Sequence, residues 1–528
     1  HWLDTPYPEG NPVIIDTPEV ISTFPANNEV SAPIDSTIEI KYNTELDMGT
    51  VNDNTVNVFG QFYGKYSCDF SWRSSDSTLV IYHLDNLFYG EKITITITDN
   101  VKSIYGINCT GHNIQFITST LHKEEDLETT PSWSSAELGT EWSLEFGDID
   151  GDNWADLIVS NNDGVEIFLN KGGYYNQNSD YTVTSDYWTG MLWNVIAFDY
   201  DNDGDLDLLV SGEINHTPYM TIQPNNNGII SSTPAWVYEF PNTRTKRDRI
   251  KVVDLNSDQY QDIIFTEIPV NNTCQLSIIL NSSSGPESQI NQYFLQNSGM
   301  AVGLETSDYD KDGDIDIIFG NGVYKNDGNG GLSGPVQIFI TQSRMIESTD
   351  YDKDGWSDIA KDKGWFQDFG IYKNSSGKFS ENPSWTSRLD LNGSDLKWID
   401  ADGDGDMDFS LIGQQENGNT KPLIYFNIDG QIADNPGWQG ELSDRQEMAW
   451  ADVDRDGDMD VAMVRGEETV SSKCYLFYNH LEQRFHVSLD SMSGREYSGN
   501  INIPYTIINP GNNPTNLHCR FSLDGGQT

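Results

Sequence analysis

The sequence predicts an all-β protein: a seven-bladed β-propeller, preceded by a β-sandwich and followed by a partial one. Three observations predict it. One acidic nine-residue pattern recurs seven times at a period of about 50. A short apolar run with strand character follows each copy, and no stretch between copies shows a sustained helical period.

Composition bounds the rest. At roughly 150 residues per domain, 528 residues suggest three or four domains. The 82 Asp and Glu against 30 Lys and Arg give a formal charge of −52. That excess excludes a nucleic-acid binder, which needs a basic face for phosphates, and argues against docking on anionic lipid. With 14 Trp, 25 Tyr and 22 Phe the chain is far too aromatic to be disordered. No apolar run reaches the ~18 residues of a membrane span, so no membrane insertion is expected. The start at His1, without an initiating Met, reads as a mature or excised chain. Cys68 and Cys109 fall in one β-rich region and are candidates to pair in an oxidising compartment. Cys274, Cys474 and Cys519 lie far apart, which leaves at least one cysteine unpaired.

In chain order, residues 1–12 carry Pro6, Pro8 and Pro12 and read as an extended leader. Residues 13–119 contain TIEIKY, TVNVFG, TLVIYH, KITITIT and IQFIT, separated by turn residues, the pattern of an Ig-like β-sandwich. Residues 120–130 (TLHKEEDLETT) form a charged linker, and 131–485 hold the repeats. Residues 486–528 begin another Ig-like module, too short for the ~100 residues of a whole one.

The repeated loop is DIDGDNWAD at Asp148–Asp156, and its copies start 42–55 residues apart. Acids at positions 1, 3, 5 and 9, with a tight turn at 6 and a carbonyl at 7, surround one point with hard oxygens. Six to eight such donors in a flexible cage select Ca²⁺ over Mg²⁺. The ligand set is Asp148, Asp150, Asp152, Trp154 and Asp156 in the first loop, and Asp199, Asp201, Asp203, Asp205 and Asp207 in the second. The third offers Asp254, Asn256, Asp258, Tyr260 and Asp262; the fourth, Asp308, Asp310, Asp312, Asp314 and Asp316. The fifth offers Asp350, Asp352, Asp354, Trp356 and Asp358; the sixth, Asp400, Asp402, Asp404, Asp406 and Asp408. The seventh closes the set with Asp452, Asp454, Asp456, Asp458 and Asp460. Up to seven structural Ca²⁺ are expected.

An EF-hand is excluded, because it needs Glu at position 12 and flanking helices. Position 12 here is Val159, Val210, Phe265, Phe319, Lys361, Leu411 and Met463. Solvated Asp-Gly turns fail as an alternative, since such a turn needs one acid, not four at fixed spacing. The third loop, with Asn256 at position 3 and Gln259 at position 6, is expected to be the weakest site.

Other features keep the same phase. A strand ending in Asn follows several loops (Asn170, Asn281, Asn374, Asn427), and a Pro-x-Trp strand precedes several (Trp133, Trp236, Trp385, Trp438). The Trp residues are expected to pack between blades. A closed ring requires the 131–136 strand to complete the seventh blade beside Cys474–Asn479, since open edges invite aggregation.

These D-x-D-x-D-G-x-x-D loops, each followed by an apolar strand, resemble FG-GAP/VCBS repeats, the type found in integrin α-subunit propellers and microbial surface proteins. Residues 13–119, with STFPANNEV, DMGTVNDNTVNV and LFYGEKITITIT, resemble bacterial Ig-like domains. The resemblance implies that each loop joins adjacent strands of a blade and binds Ca²⁺ structurally. It also implies a secreted, cell-surface location and an interaction role.

Catalytic signatures are missing. The eight His show no HExxH spacing, and no GxSxG, Walker A or GxGxxG occurs. The expectation is therefore a non-catalytic surface scaffold for adhesion or assembly, with a protein or glycan partner and self-assembly into a filament or layer as an option. The alternative is a carbohydrate-active protein, lectin or polysaccharide lyase, using the propeller face; convergent charged or aromatic residues at the centre would favour it. Six sequons (Asn108, Asn215, Asn271, Asn281, Asn374, Asn392) offer glycan acceptors, and a basic run (Arg244, Lys246, Arg247, Arg249, Lys251) offers a docking patch.

Overall fold

The structure is a computed structural model that describes residues 17–121 and 127–479, except 163, 189, 191, 215–216, 241–248, 268–273, 288–289, 296–302, 340–342, 364–367, 388–394, 415–419, 442–446 and 465–472; beyond these it describes the strands 486–489 and 505–508. The expected leader at 1–12 lies outside the described residues. Among the described residues every regular element is a β-strand, save one 3-10 turn at Met48–Thr50.

Two antiparallel four-stranded sheets make the first domain. One orders Val20–Phe24, Ile38–Tyr42, Thr78–His83 and Cys68–Arg73; the other orders Gly64–Tyr66, Val56–Gly60, Lys92–Ile97 and His112–Ile117. Alternation sets their inner faces: Ile38 and Ile40 from one sheet meet Val58, Ile93, Ile95 and Phe116 from the other, all buried. Burying each such side chain contributes about 1.5–3 kcal/mol. The pairing expected of Cys68 and Cys109 is not formed, and both are free thiols. Cys68 opens a strand of one sheet, whereas Cys109 hangs on the Val101 carbonyl in the loop between two strands of the other. Burial pushes each thiol up to about 12.

Seven four-stranded antiparallel sheets follow, the blades of the propeller. The first runs Glu141–Gly147, Asp156–Asn161, Val165–Phe168 and Tyr181–Val183. The opening strands of the others are Leu192–Phe198, Ile250–Val253, Leu304–Ser307, Ile346–Thr349, Asp395–Ile399 and Glu447–Ala451. Second strands such as Asp156–Asn161 and Asp358–Asp362 are buried at every residue, because each blade is covered on both faces by its neighbours.

The last sheet takes its outer strand from the start of the repeats. Trp133 pairs with Leu476, and Ser134 with Tyr475, which closes the ring as the sequence phase requires. The Trp strands are the outer strands, and their rings pack onto the following blade. Trp133 meets Phe168 and Tyr175, Trp385 meets Phe409 and Tyr425, and Trp438 meets Phe477.

Residues 480–528 form a separate unit. Its described part is one antiparallel pair, His486–Leu489 with Tyr505–Ile508.

Candidate metal centres

Each acidic loop joins the first and second strands of its blade, so position 9 is already a strand residue. Two left-handed residues shape every loop. Position 4 has φ between 55° and 73° in all seven (Gly151, Asn202, Ser257, Lys311, Lys353, Gly403, Arg455). Position 6 has φ from 67° at Asn153 to 103° at Gly204. That double reversal folds the backbone amides inward onto the carboxylates. The position 1 carboxylate accepts the N–H of position 6 in each copy, as Asp308 does from Gly313 at 3.1 Å. The position 5 carboxylate accepts from position 7, as Asp312 does from Asp314 at 3.1 Å.

The predicted ligands converge. Carboxylate oxygens of Asp308, Asp310, Asp312 and Asp316 lie within 4.8 Å of one another, as do those of Asp148/Asp150/Asp156, Asp199/Asp201/Asp203, Asp350/Asp352/Asp358 and Asp400/Asp402/Asp404. Burial, with the neighbouring acids adding to it, pushes Asp308 up to about 7, Asp316 to about 9, Asp358 to about 8 and Asp452 to about 8. Oxygens of Asp310, Asp316, Asp352, Asp358 and Asp400 are buried with no hydrogen-bond partner. Orphaned anionic oxygens around one point are what a divalent cation would satisfy. The residues fit Ca²⁺.

Two of the four position 7 acids do other work with their side chains. Asp205 accepts from the Asn227 amide and Asp406 from that of Asp429, each in the turn before the blade's outer strand. Their backbone carbonyls stay available to a cation. In the fourth loop Lys325 places its Nζ 2.6 Å from both Asp310 and Asp312, and in the fifth Lys373 pairs with Asp352.

Sequence reasoning noted the strand-ending Asn residues without their role. Asn170, Asn225, Asn281, Asn326, Asn374, Asn427 and Asn479 each donate their backbone N–H to the position 9 carboxylate of their own loop, at 2.5–2.8 Å. Each Nδ2 donates at 2.7–2.9 Å to the position 2 carbonyl of the previous blade's loop: Val453, Ile149, Tyr200, Leu255, Tyr309, Tyr351 and Ala401 in turn. The seven clasps run round the ring without a gap. Asn281 and Asn374, expected as sequons, are buried with their amides spent on this clasp, so they are withdrawn as glycan acceptors. Asn108 is exposed; Asn215, Asn271 and Asn392 lie outside the described residues.

The sandwich packs on the loop face of the propeller. Asn27 donates to Asp308 at 2.9 Å, Lys65 to Asn202 at 3.0 Å, and Thr120 to Asp400. Asp148 N–H reaches the Phe62 carbonyl and Leu121 N–H the Gly457 carbonyl, both at 2.7 Å. Under it a cavity of about 320 Å³ occupies the centre, lined by Lys92 of the sandwich and by Glu145, Arg249, Lys251, Glu305, Arg344, Glu347, Asp395, Lys397 and Glu447 of the first strands and their approaches. Opposite charges pair within it: Lys251 with Glu305 at 2.6 Å and Lys397 with Glu347 at 3.2 Å. Burial pushes Glu145 up to about 7 and Glu447 to about 8. Of the basic run, Arg249 and Lys251 thus face the centre; Arg244, Lys246 and Arg247 lie outside the described residues.

Comparison with known proteins agrees with this architecture. A family model described as FG-GAP-like repeat matches residues 126–210 and 254–319, and one described as bacterial Ig-like domain matches 15–118. No curated protein matches the chain. Among solved structures, rhamnogalacturonan lyase YesW is 13% identical with a TM-score of 0.38, over 86% of this chain and 91% of that one. The Dos1 propeller is 12% identical with a TM-score of 0.38, over 80% and 94%. The V. cholerae biofilm matrix protein Bap1 is 13% identical with a TM-score of 0.32, over 63% and 45%. Overlaps this loose say nothing about activity. The topology and the two family matches together make the chain a β-propeller protein of FG-GAP-like repeats with a bacterial Ig-like domain ahead of them.

Proposed function

We propose that the protein is a non-catalytic, calcium-binding scaffold of the extracellular space, secreted or displayed at a cell surface, whose propeller serves adhesion or assembly. The observation that carries this reading is the set of converging carboxylates with orphaned buried oxygens, repeated in phase round the ring. Ions there brace the joint between the first two strands of the blades that hold them, next to the Asn clasp that ties blades together. A platform held rigid this way suits a protein or glycan partner, or further copies of itself, better than a moving catalytic site. Binding of Ca²⁺ to the native state alone stabilises it by RT ln(1+[L]/Kd). EDTA should therefore lower the melting temperature by many degrees and Ca²⁺ should restore it. An unchanged melt at low salt overturns the calcium reading.

A second reading has one observation in its favour. The central cavity gathers five of the chain's 30 basic residues beside five acids, the convergence expected of a carbohydrate-active site. Against it, several of those charges already neutralise one another. Incubation with a panel of acidic and neutral polysaccharides, followed by absorbance of unsaturated ends and by reducing-end release, separates the readings. Turnover of any of them replaces the scaffold by the enzyme.

A further inference from the structure

The third loop alone lacks an acid at position 3, and like the first loop it lacks a glycine at position 6; its residues at positions 4 and 6 both face the sandwich. Position 6 is the test. In the fourth, sixth and seventh loops it is a glycine pressed by the sandwich. A Cβ there would clash with His112 at Gly313 and with Leu121 at Gly457, and would stand 3.0 Å from Ser31 at Gly405. In the third loop position 6 is Gln259, held at φ 78° and 6% exposed. With the amide turned to suit its neighbours, its nitrogen faces the Asp53 carbonyl at 3.2 Å, and its oxygen faces Val56 N–H at 3.1 Å and Thr55 N–H at 3.2 Å, both of which also donate to the Asn52 carbonyl. A left-handed, buried, non-glycine residue is costly unless its side chain makes contacts that offset the strain.

Position 4, Ser257, is used the same way. Asn113 of the sandwich donates through Nδ2 to the Ser257 hydroxyl and to the Asp254 carbonyl, both at 3.1 Å, while its Oδ1 accepts from Thr96 at 2.8 Å. Gly111 opposes Ser257 so closely that a Cβ on it would stand 2.8 Å from the serine's. Position 3, Asn256, carries one anion fewer than its counterparts; its Nδ2 donates to Asp258 at 3.2 Å, while its Oδ1 is buried without a partner, like the position 3 oxygens of Asp310 and Asp352. That hydrogen bond occupies one oxygen of the position 5 carboxylate.

We propose that the third loop has exchanged its cation site for a docking site: it anchors the sandwich, and it does so without metal. The proposal rests on the calcium reading only for its count of ions. Equilibrium dialysis of the full chain against Ca²⁺ should give six ions per chain, none displaced by Gln259→Gly. Hydrogen exchange in EDTA should leave residues 52–57 and 111–115 protected in the parent, and Gln259→Gly should speed exchange there at least tenfold. Asn113→Ala, which leaves the loop itself intact, should do the same at 111–115. Seven ions in the parent, or equal exchange in parent and both variants, overturns it. A chain that binds no Ca²⁺ at all sinks the calcium reading, and the exchange contrast in EDTA then decides the docking claim alone.

Discussion

Asn427 serves two blades with one side chain. Its Nδ2 donates to the Tyr351 carbonyl at 2.7 Å and to the Met407 carbonyl at 3.1 Å, while its N–H binds Asp408 at 2.7 Å. Asn427→Ala leaves two buried carbonyls unpaired, at about 1–3 kcal/mol each, so unfolding in denaturant should show a loss of about 2–6 kcal/mol. A loss under 0.5 kcal/mol would mean that the clasp is ornamental. Glu91, fully buried in the sandwich, gives a pH signature. It accepts from Tyr66 at 2.6 Å, Phe62 at 2.7 Å and Tyr63 at 2.9 Å, yet burial outweighs these donors and pushes it up to about 7. A folded-state value above the unfolded one means stability present in acid and lost as pH rises through 7. Relative to Glu91→Gln at constant Ca²⁺, the parent should lose on the order of 3 kcal/mol between pH 5 and 8. A flat difference across that range removes the assignment.

At the scale of elements, the closing strand carries the most risk per residue. Trp133 and Ser134, flanked by hydrogen bonds from Ser132 and Ser135, pair the outer edge of the last sheet, and the Trp133 indole donates to the Tyr175 carbonyl at 2.9 Å in the first blade. Trp133→Ala should cost about 2–4 kcal/mol and free the Tyr475–Phe477 edge for pairing with other chains. Denaturant unfolding checks the first part and light scattering the second; a monodisperse, fully stable variant refutes both. The closure was legible in the sequence because each blade needs four strands and the Trp strands keep phase with the loops. The loops were legible because cation ligation fixes residue type at each position. The Asn clasp was half legible: four of its members stand out at strand ends, but nothing local says that the amide reaches into the preceding blade. The same blindness misread Asn281 and Asn374 as sequons, since Asn-Ser-Ser looks alike on a surface turn and in a buried clasp. It also suggested pairing Cys68 with Cys109, whose proximity in sequence hides their separate sheets. The docking of the sandwich on the loops joins residues far apart in the chain, such as Asn113 to Asp254, 141 apart, and no periodicity encodes it.

The whole molecule is shaped by its charge. The sandwich and the start of its linker touch six of the seven loops, so a partner has the opposite face, the rim and the outer sandwich sheet to bind, not the cation sites. Of the 82 acids, 31 sit in the loops at positions 1, 3, 5, 7 and 9, packed on that covered face, and the formal charge is −52. Such self-repulsion destabilises the compact state and is screened over a Debye length of about 8–10 Å near physiological salt. Divalent ions act on the loop acids from within; monovalent salt acts on all acids from outside. The two stabilising effects therefore overlap. Raising NaCl from ~20 to ~200 mM should raise the melting temperature strongly in EDTA and much less in saturating Ca²⁺, because the closest repulsions are then already neutralised. Scanning fluorimetry across the four conditions measures the difference. Equal salt increments with and without Ca²⁺ would place the destabilising charge outside the loops, on the acids of the sandwich and the blade rims.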